Sequence, residues 1–491
     1  MKKYFYLACL WCIITGMLSS CTKENTYIIQ SPEGEKELRL TVLEDGNYTM
    51  ELTDSIVFKA SPSTATGETT FQWKLDTAKV STDSVYVFKT DRSGQYSLSV
   101  TATNTDGEQT RTANITVLPG KYKHGTFILN EGLIGTHGSL IFIAPNGEIT
   151  PNAYQKVNGK YLFPLTEDLF IHDNKIYIVS QKGENSSKND GGLTVLNAET
   201  LKEEFRYSFP EGEVFQPTHI AVLDKDEIYL RTADDIKVFH PSDLSVETIE
   251  GSEKPNWNTM AVAAGKVFVS HMKKAEIMVI KKGEKSVSHR IQFNDLVSGV
   301  IRSSDGKLWV SDNSGTISKV DPETYEIIEA HNLNESNGLP NDKTEAAKLL
   351  HRNPASSQAA APHISAKGDT LYMSATKTTI YAHVFSSNLV KKMVDARQYI
   401  PDSDDYFNSR YFQAYNTCAV DPESGEVYLN TLRGWGGKRH TNHISVFDFT
   451  WIKSDYNDNI YISPRLARDY ANYTDYPANI YFTYNFFQIN K

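Results

Sequence analysis

The sequence predicts an all-β protein of two parts: a small antiparallel sandwich, then a seven-bladed β-propeller closed by the strand at its carboxyl end. Three observations predict it. Short alternating strands separated by turn residues fill residues 35–119 without a helical period. From Lys121 one phrase, a pair of turn-forming residues followed by an apolar-aromatic-apolar triplet, recurs seven times. The late stretch Pro477-Ala478-Asn479-Ile480 is similar to Gln216–Ile220 and Ala361–Ile364, which open earlier repeats, yet no second strand follows it.

The chain begins Met1-Lys2-Lys3, continues with an apolar run from Tyr4 to Met17, and then reads Leu18-Ser19-Ser20-Cys21. A basic, apolar, small series of this kind is an export signal. The run is shorter than the ~20 residues that a membrane span needs, although an uncleaved signal anchor is the alternative. Leu18–Cys21 resembles a bacterial lipobox. The resemblance implies cleavage before Cys21, acylation of Cys21, and attachment to the membrane through lipid only. Residues 1–20 are then a signal peptide and residues 21–34 a polar tether. The Lys23-Glu24 pair resembles the export tags of surface lipoproteins in some Gram-negative bacteria, which implies an outer-membrane, cell-surface location.

Of the four cysteines, Cys9 and Cys12 leave with the signal and Cys21 carries lipid. Cys418 then stands alone, no intramolecular disulfide forms, and stability rests on packing. Of the 50 basic residues the signal takes Lys2 and Lys3, leaving 48 against 60 acidic ones. That balance disfavours nucleic acid and anionic membrane as partners.

Residues 35–119 hold the runs LRLTV, SIVFKA, TFQWKL, SVYVFKT, QYSLSVTATN and TANITVLP, each bounded by turn residues. They predict a sandwich with Trp73 and Tyr96 between its sheets. FQWKL together with SGQYSLSVTATNTDG resembles the PKD and Ig-like modules of bacterial surface proteins. The resemblance implies a spacer or a sugar-binding module.

In residues 121–491 the recurring phrase centres on Phe127, Tyr177, Tyr229, Phe268, Trp309, Tyr372 and Tyr428, spaced by 50, 52, 39, 41, 63 and 56 residues. Repeats of this length built from short strands form propeller blades, each a four-stranded sheet that cannot bury its faces alone. An inner strand precedes every phrase except the first, so the carboxyl-terminal PANIYFTYNF is expected to supply the inner strand of the first blade. Such pairing removes the free edges.

Loop lengths sort the two faces of the ring. One face has minimal turns, such as DNK and AGK. The other carries Gln181–Gly192, Leu432–Asn442 and two long crossings, His331–Pro362 and Ala396–Tyr415. Loops that long in a compact domain are usually functional. Asp342 and Glu345 predict a capping box and a short helix that lids part of this face. Tyr406, Phe407, Tyr411, Phe412 and Tyr415, with Trp257, Phe215, Tyr161 and Trp435, are candidates for an aromatic rim. Trp435 sits in RGWGGKR, where glycines let an indole close over a ligand and Arg433, Lys438 and Arg439 offer charge. At the funnel floor, Asp168, His219, Thr259, Gly299, His363, Thr417 and Asn479 are expected to form one polar ring able to orient a ligand. The structural alternative for each is to satisfy backbone groups where strands begin.

Zincin, nucleophile-elbow and P-loop motifs are missing, no cysteine pair is present, and no metal or cofactor is assigned. Asp455–Asn459 reads as a turn, since it lacks the Gly and Glu of a calcium loop. His440 and His443 read as exposed loop residues. His219, His363 and Asp168 retain acid–base work as an option, as in some polysaccharide lyases.

The lipobox, the seven phrases, the opening FILNEG and the late AVDPESGEVYLN together resemble the YVTN-like surface propellers of Gram-negative gut-type bacteria. Among these are lipoproteins that capture cobalamin for a TonB-dependent transporter. The resemblance covers residues 121–491 and implies a non-enzymatic receptor for a nutrient, such as a corrinoid, with Asn130 and Glu131 as carried-over site positions. The amino-terminal sandwich, the His331–Pro362 crossing and the Tyr-rich tail depart from it. A glycan-binding or adhesion protein and a propeller lyase or hydrolase stand as the other two readings.

Overall fold

The computed structural model describes residues 25–26, 46–62, 67–133, 135–185, 187, 191–352, 361–374, 378–399, 413–434, 436–450, 452–454, 460–462 and 464–483. The chain divides into two compact units, Met1–Gly120 and Lys121–Lys491.

The first unit is a sandwich of two sheets. A five-stranded sheet runs in the order Gly46–Met50, Gly107–Val117, Gly94–Asn104, Thr70–Leu75, Ala78–Ser81. The other sheet joins Asn25–Thr26, Ile56–Lys59 and Val85–Phe88. Asn25 and Thr26, expected in the tether, pair in parallel with Ile56 and Val57. The run Leu38–Val42 lies outside the described residues. Trp73 is fully buried, and its indole N–H donates to the Asp83 carbonyl at 2.7 Å. Tyr96 takes a different place from the one expected. Its ring packs on Phe88 from the margin of the core, because its hydroxyl reaches out to the Arg92 carbonyl at 2.8 Å.

The second unit has seven four-stranded antiparallel sheets among the described residues. Each phrase aromatic lies on the second strand of its sheet. Blade one joins Thr126–Asn130, Ser139–Ile143 and Ile149–Thr150 to the carboxyl-terminal strand Pro477–Phe482. Blades two to six follow in sequence, with inner strands Thr166–His172, His219–Asp224, Ala261–Ala263, Val297–Arg302 and Ile364–Lys367. Blade seven runs from Gln413–Val420 to the outermost Arg465–Ala471. Each inner strand packs on the next, and that of blade seven packs on Pro477–Phe482, so the contacts close a ring. This is a seven-bladed propeller.

Closure uses backbone and side chain together. Tyr481 registers with Phe127 and Phe482 with Thr126, and the Gly125 N–H donates to the Thr483 hydroxyl at 2.9 Å. Most phrase aromatics are almost fully buried between neighbouring sheets, where each blade covers the apolar face of the next. The tight turns on the plain face follow from chemistry: Asp173-Asn174 and Ala264-Gly265 are all left-handed, as two-residue hairpin turns require.

The predicted helix forms, over Pro340–Leu350, but its start differs. Pro340 occupies the first turn and Leu339 the cap, so Asp342 does not cap. The Asp342 carboxylate accepts instead from the Lys392 N–H at 3.3 Å. Nor is the helix a lid. Ala346, Ala347, Leu349 and Leu350 are buried with Trp309, Ile317, Ile364 and Leu371, which wedges the helix between blades five and six.

Candidate functional site

The inner strands begin on the face that carries the long loops, and there Glu131, Glu167, Asp168, His219, Thr259, Asn416 and Asn479 converge on the ring axis. Their side chains close the axis. A ligand on this face would therefore sit in the mouth above them and would not thread through.

One device recurs at the start of these strands. Asp168 Oδ1 accepts from the Leu169 N–H at 2.9 Å, while Oδ2 accepts from Ile220 N–H of the next blade at 3.1 Å. Asn258 accepts from Thr259 N–H at 2.8 Å and donates to the Ser298 carbonyl of the following blade at 2.6 Å. Asn416 donates to the carbonyls of Pro477 and Ala478, and Asn479 accepts from Ile480 N–H. Short acceptor side chains bond their own backbone readily, and here Asp168, Asn258 and Asn416 also tie one blade to the next. The β-bulges near Asp168, Gly299 and Asn479 mark the same level of the ring.

Two further carboxyl groups belong to the same cluster. Glu131 follows the second strand of blade one and accepts from the Tyr415 hydroxyl at 3.0 Å. Glu167 is buried at the start of blade two and accepts from the Gln181 amide at 2.5 Å. Burial pushes Glu167 up to about 8, with the Asp168 charge adding to it. Burial, then Glu167 and Asp475, hold Glu131 well above the carboxylate range. Asp168 is pushed up to about 7 by burial despite its three hydrogen bonds. Like charges in a dry site cannot all ionise, so near neutral pH this cluster keeps protons and can donate as well as accept.

On another arc of the mouth, Arg231 is fully buried and lies over the Trp257 ring at 3.8 Å. It donates to the carbonyls of Asn256 at 3.1 Å and Pro255 at 2.8 Å. Arg352, just beyond the Pro340–Leu350 helix, donates to the Trp257 carbonyl. The two guanidinium groups thus hold the Trp257 loop from both sides. Tyr161 and Phe215, which precede the inner strands of blades two and three, are 51% and 42% exposed.

The family described as a domain of unknown function, DUF5074, matches residues 124–483, and a PKD-like domain matches residues 39–104. The chain belongs to the DUF5074 family. No curated protein sequence matches it. Among solved structures, a quinoprotein alcohol dehydrogenase-like protein from Bacteroides thetaiotaomicron is 15% identical, with a TM-score of 0.49 over 90% of this chain and 97% of that one. YCF48 bound to a D1 peptide is 10% identical, with a TM-score of 0.39 over 64% of this chain and 90% of that one. The Pan2 WD40 domain of Neurospora crassa is 9% identical, with a TM-score of 0.34 over 63% and 91%. Likenesses this distant say nothing about ligand or chemistry.

The DUF5074 propeller brings Asp168, His219, Thr259 and Asn479 of the expected ring together, with Glu131 beside them. His363 is not among them. Its ring is bonded to the carbonyls of Leu349 and Leu350, and burial followed by the Arg352 charge holds it down at about 4. Asn130 is a packing residue: its amide donates to Ser139 at 3.0 Å and accepts from Asp475 N–H at 3.1 Å. Trp257 and Tyr415 stand at the mouth, while Arg433 is half-buried beyond the second strand of blade seven. Arg439 is paired with Asp475 at 2.6 Å. His443 lies on the strand Asn442–Asp448 and pairs with Asp469 at 2.6 Å, which corrects its reading as a loop residue. Cys21, Tyr406, Phe407, Tyr411, Phe412, Trp435 and Asp455–Asn459 lie outside the described residues, as does the side chain of Thr417. Glu167, Asn258, Asn416, Arg231 and Arg352 escaped the sequence reading. A signal for Glu167 was present: two adjacent acids, Glu167-Asp168, directly precede the apolar run Leu169-Phe170-Ile171 of the same strand.

Proposed function

We propose that this protein is a lipid-anchored surface receptor, without catalytic activity, whose funnel mouth captures a small polar nutrient for a TonB-dependent transporter. A corrinoid is the first candidate. The observation that carries this reading is the joint position of Glu131 and Glu167 in the polar cluster at the axis, with the Tyr415 hydroxyl on Glu131, and with Trp257 and the exposed rings of Tyr161 and Phe215 on the same face. Carboxyl groups that keep their protons donate and accept like amides. They therefore suit a ligand rich in amides and hydroxyls without the cost of a buried charge. Aromatic rings on the same face offer flat apolar contact.

One observation favours a second reading. A carboxyl group raised to about 8 beside a second carboxyl and a tyrosine hydroxyl is the equipment of a general acid in a lyase or hydrolase. A thermal-shift panel of corrinoids, haem and neutral and acidic oligosaccharides separates the two. A receptor gains melting temperature with one ligand class and leaves it chemically unchanged. Cleavage of an oligosaccharide by the wild type but not by Glu167→Gln establishes the enzyme instead, and a flat panel removes the receptor reading.

A further inference from the structure

The outermost strand of blade six, Leu389–Asp395, ends its sheet, and all seven of its residues border a groove of about 620 Å³. Gly338, Leu339, Asp342, Gln398, Tyr399 and Pro464 complete the walls. A fifth strand has already started here. Asn337 bridges Leu389 in the parallel sense, donating to the Asn388 carbonyl at 2.7 Å and accepting from Val390 N–H at 2.9 Å. It then stops. Gly338 adopts φ +116°, and a Cβ there would lie 2.2 Å from the Val390 carbonyl oxygen, so the chain must leave the edge, and Pro340 turns it into the helix. Further along, the Lys392 N–H meets, among the described residues, only the Asp342 carboxylate at 3.3 Å, a long bond where a strand would place a carbonyl.

The side chains say what would fit. Leu339 is 69% exposed, the most exposed large apolar residue described, and Leu389 is exposed beside it. Lys391 and Lys392 are both exposed and take part in no ion pair among the described residues. They pair in unbroken register with Ala382 and Tyr381 and so alternate across the strand, and the register slips by one residue only after them, at Met393. Lysines on a sheet edge discourage uncharged strands. A second copy of this chain would bring its own lysines against these, which is repulsive. An acidic strand is attracted.

We infer that this edge binds an extended, acidic polypeptide segment of another protein, which continues the fifth strand that Asn337 begins. Main-chain bonds hold it to the edge that no described strand covers beyond Asn337, carboxylates meet Lys391 and Lys392, and an apolar side chain covers Leu339. This inference is independent of the ligand proposed for the funnel.

The test titrates the full chain into a fluorescein-labelled peptide of alternating Glu and Val and into a matched Lys and Val peptide, read by anisotropy. The acidic peptide should bind saturably and the basic one should not. Lys391→Glu with Lys392→Glu should invert the preference, and Met393→Pro should weaken the acidic peptide at least tenfold, with melting temperatures checked in parallel to show that both variants fold. Equal affinity for the two peptides, or acidic binding that survives the charge reversal, overturns the inference. So does a wild-type dimer in gel filtration that the charge reversal dissolves, because the occupant is then a second copy.

Discussion

The Tyr481 hydroxyl donates to Oδ1 of Asp168 at 2.7 Å, joining residues 313 apart in sequence. It also accepts from the Leu169 N–H at 3.1 Å, so the carboxyl-terminal strand of blade one is fastened to the inner strand of blade two. Asp168 simultaneously holds Ile220 of blade three. One carboxyl group therefore links three inner strands, one of which arrives only at the end of the chain. Tyr481→Phe leaves Asp168 short of a partner in a dry site and should cost about 1–3 kcal/mol in denaturant unfolding. Deleting residues 478–491 removes the strand itself and should abolish the cooperative melt of the propeller. An unchanged transition in the truncated chain sinks the account of closure.

The acid cluster makes stability depend on pH in a definite sense. Asp168 and Glu167 have ordinary values of 3.8 and 4.5 and are pushed to about 7 and about 8 in the fold. A carboxyl group raised in this way favours the protonated fold. Its contribution is complete below the unfolded value and is lost as pH rises through the folded one. The melting temperature should therefore fall between about pH 5 and pH 9, and Glu167→Gln should flatten the slope, since an amide cannot ionise. A calorimetric pH series on both chains checks this. A slope that Glu167→Gln leaves unchanged places the titrating group elsewhere.

Arg231 is buried to give the Trp257 loop its hydrogen bonds, and its charge is tolerated because carbonyl dipoles and an aromatic face surround it. Arg231→Met keeps much of the volume but strands the carbonyls of Asn256 and Pro255. The expected loss is about 3–5 kcal/mol of stability by urea unfolding, with Arg231→Lys intermediate because an ammonium cannot lie flat on the indole. A loss near zero in Arg231→Met shows that the loop does not depend on it.

These contrasts show what was legible in the residues. The blade count was, because an aromatic between two apolar residues is driven between sheets wherever it recurs, and six of the seven from Phe127 to Tyr428 are buried there, with Tyr372 half-buried. Closure was legible too, since a strand opening without a partner needs one elsewhere. The site was legible only in part. The ring was read from the first residue of each predicted inner strand, a level that a one-residue slip changes. In blade four that reading selected Thr259, while Asn258, one residue earlier, makes the bond to blade five. His363 was placed at the axis by the same count, yet the helix end offers its ring two carbonyls and takes it away. Arg231 and Arg352 act on Trp257 from elements separated from it by 26 and 95 residues in sequence. No local pattern carries such a contact.

Surface anchoring is checked through Cys21. Cys21→Ser removes the proposed acceptor of the lipid and should move the protein from the membrane fraction to the soluble fraction. Retention of the variant in the membrane shows that something other than lipid holds it.

Asn130 and Glu131 are neighbours with opposite duties, which lets binding be separated from packing. The Asn130 amide connects Ser139 to Asp475 and is almost fully buried. Asn130→Ala strands both groups and should cost about 1–3 kcal/mol of stability, with affinity for the ligand found by the panel preserved wherever the fold persists. The Glu131 carboxyl faces the mouth, raised by burial and by neighbouring acids, with the Tyr415 hydroxyl as its partner. Glu131→Ala relieves that repulsion, so its melting temperature at pH 8 should equal or exceed that of the wild type. Its affinity should fall by about 1–3 kcal/mol, the loss expected of an anchor in a small binding site. Tyr415→Phe should weaken binding in the same direction by a smaller amount, because the ring stays against Tyr476 while the hydroxyl is lost. Calorimetric titration and melting of the three variants side by side decide the assignment. If Glu131→Ala destabilises the fold as Asn130→Ala does and leaves affinity intact, Glu131 is a second packing residue and the binding site lies elsewhere on the funnel face.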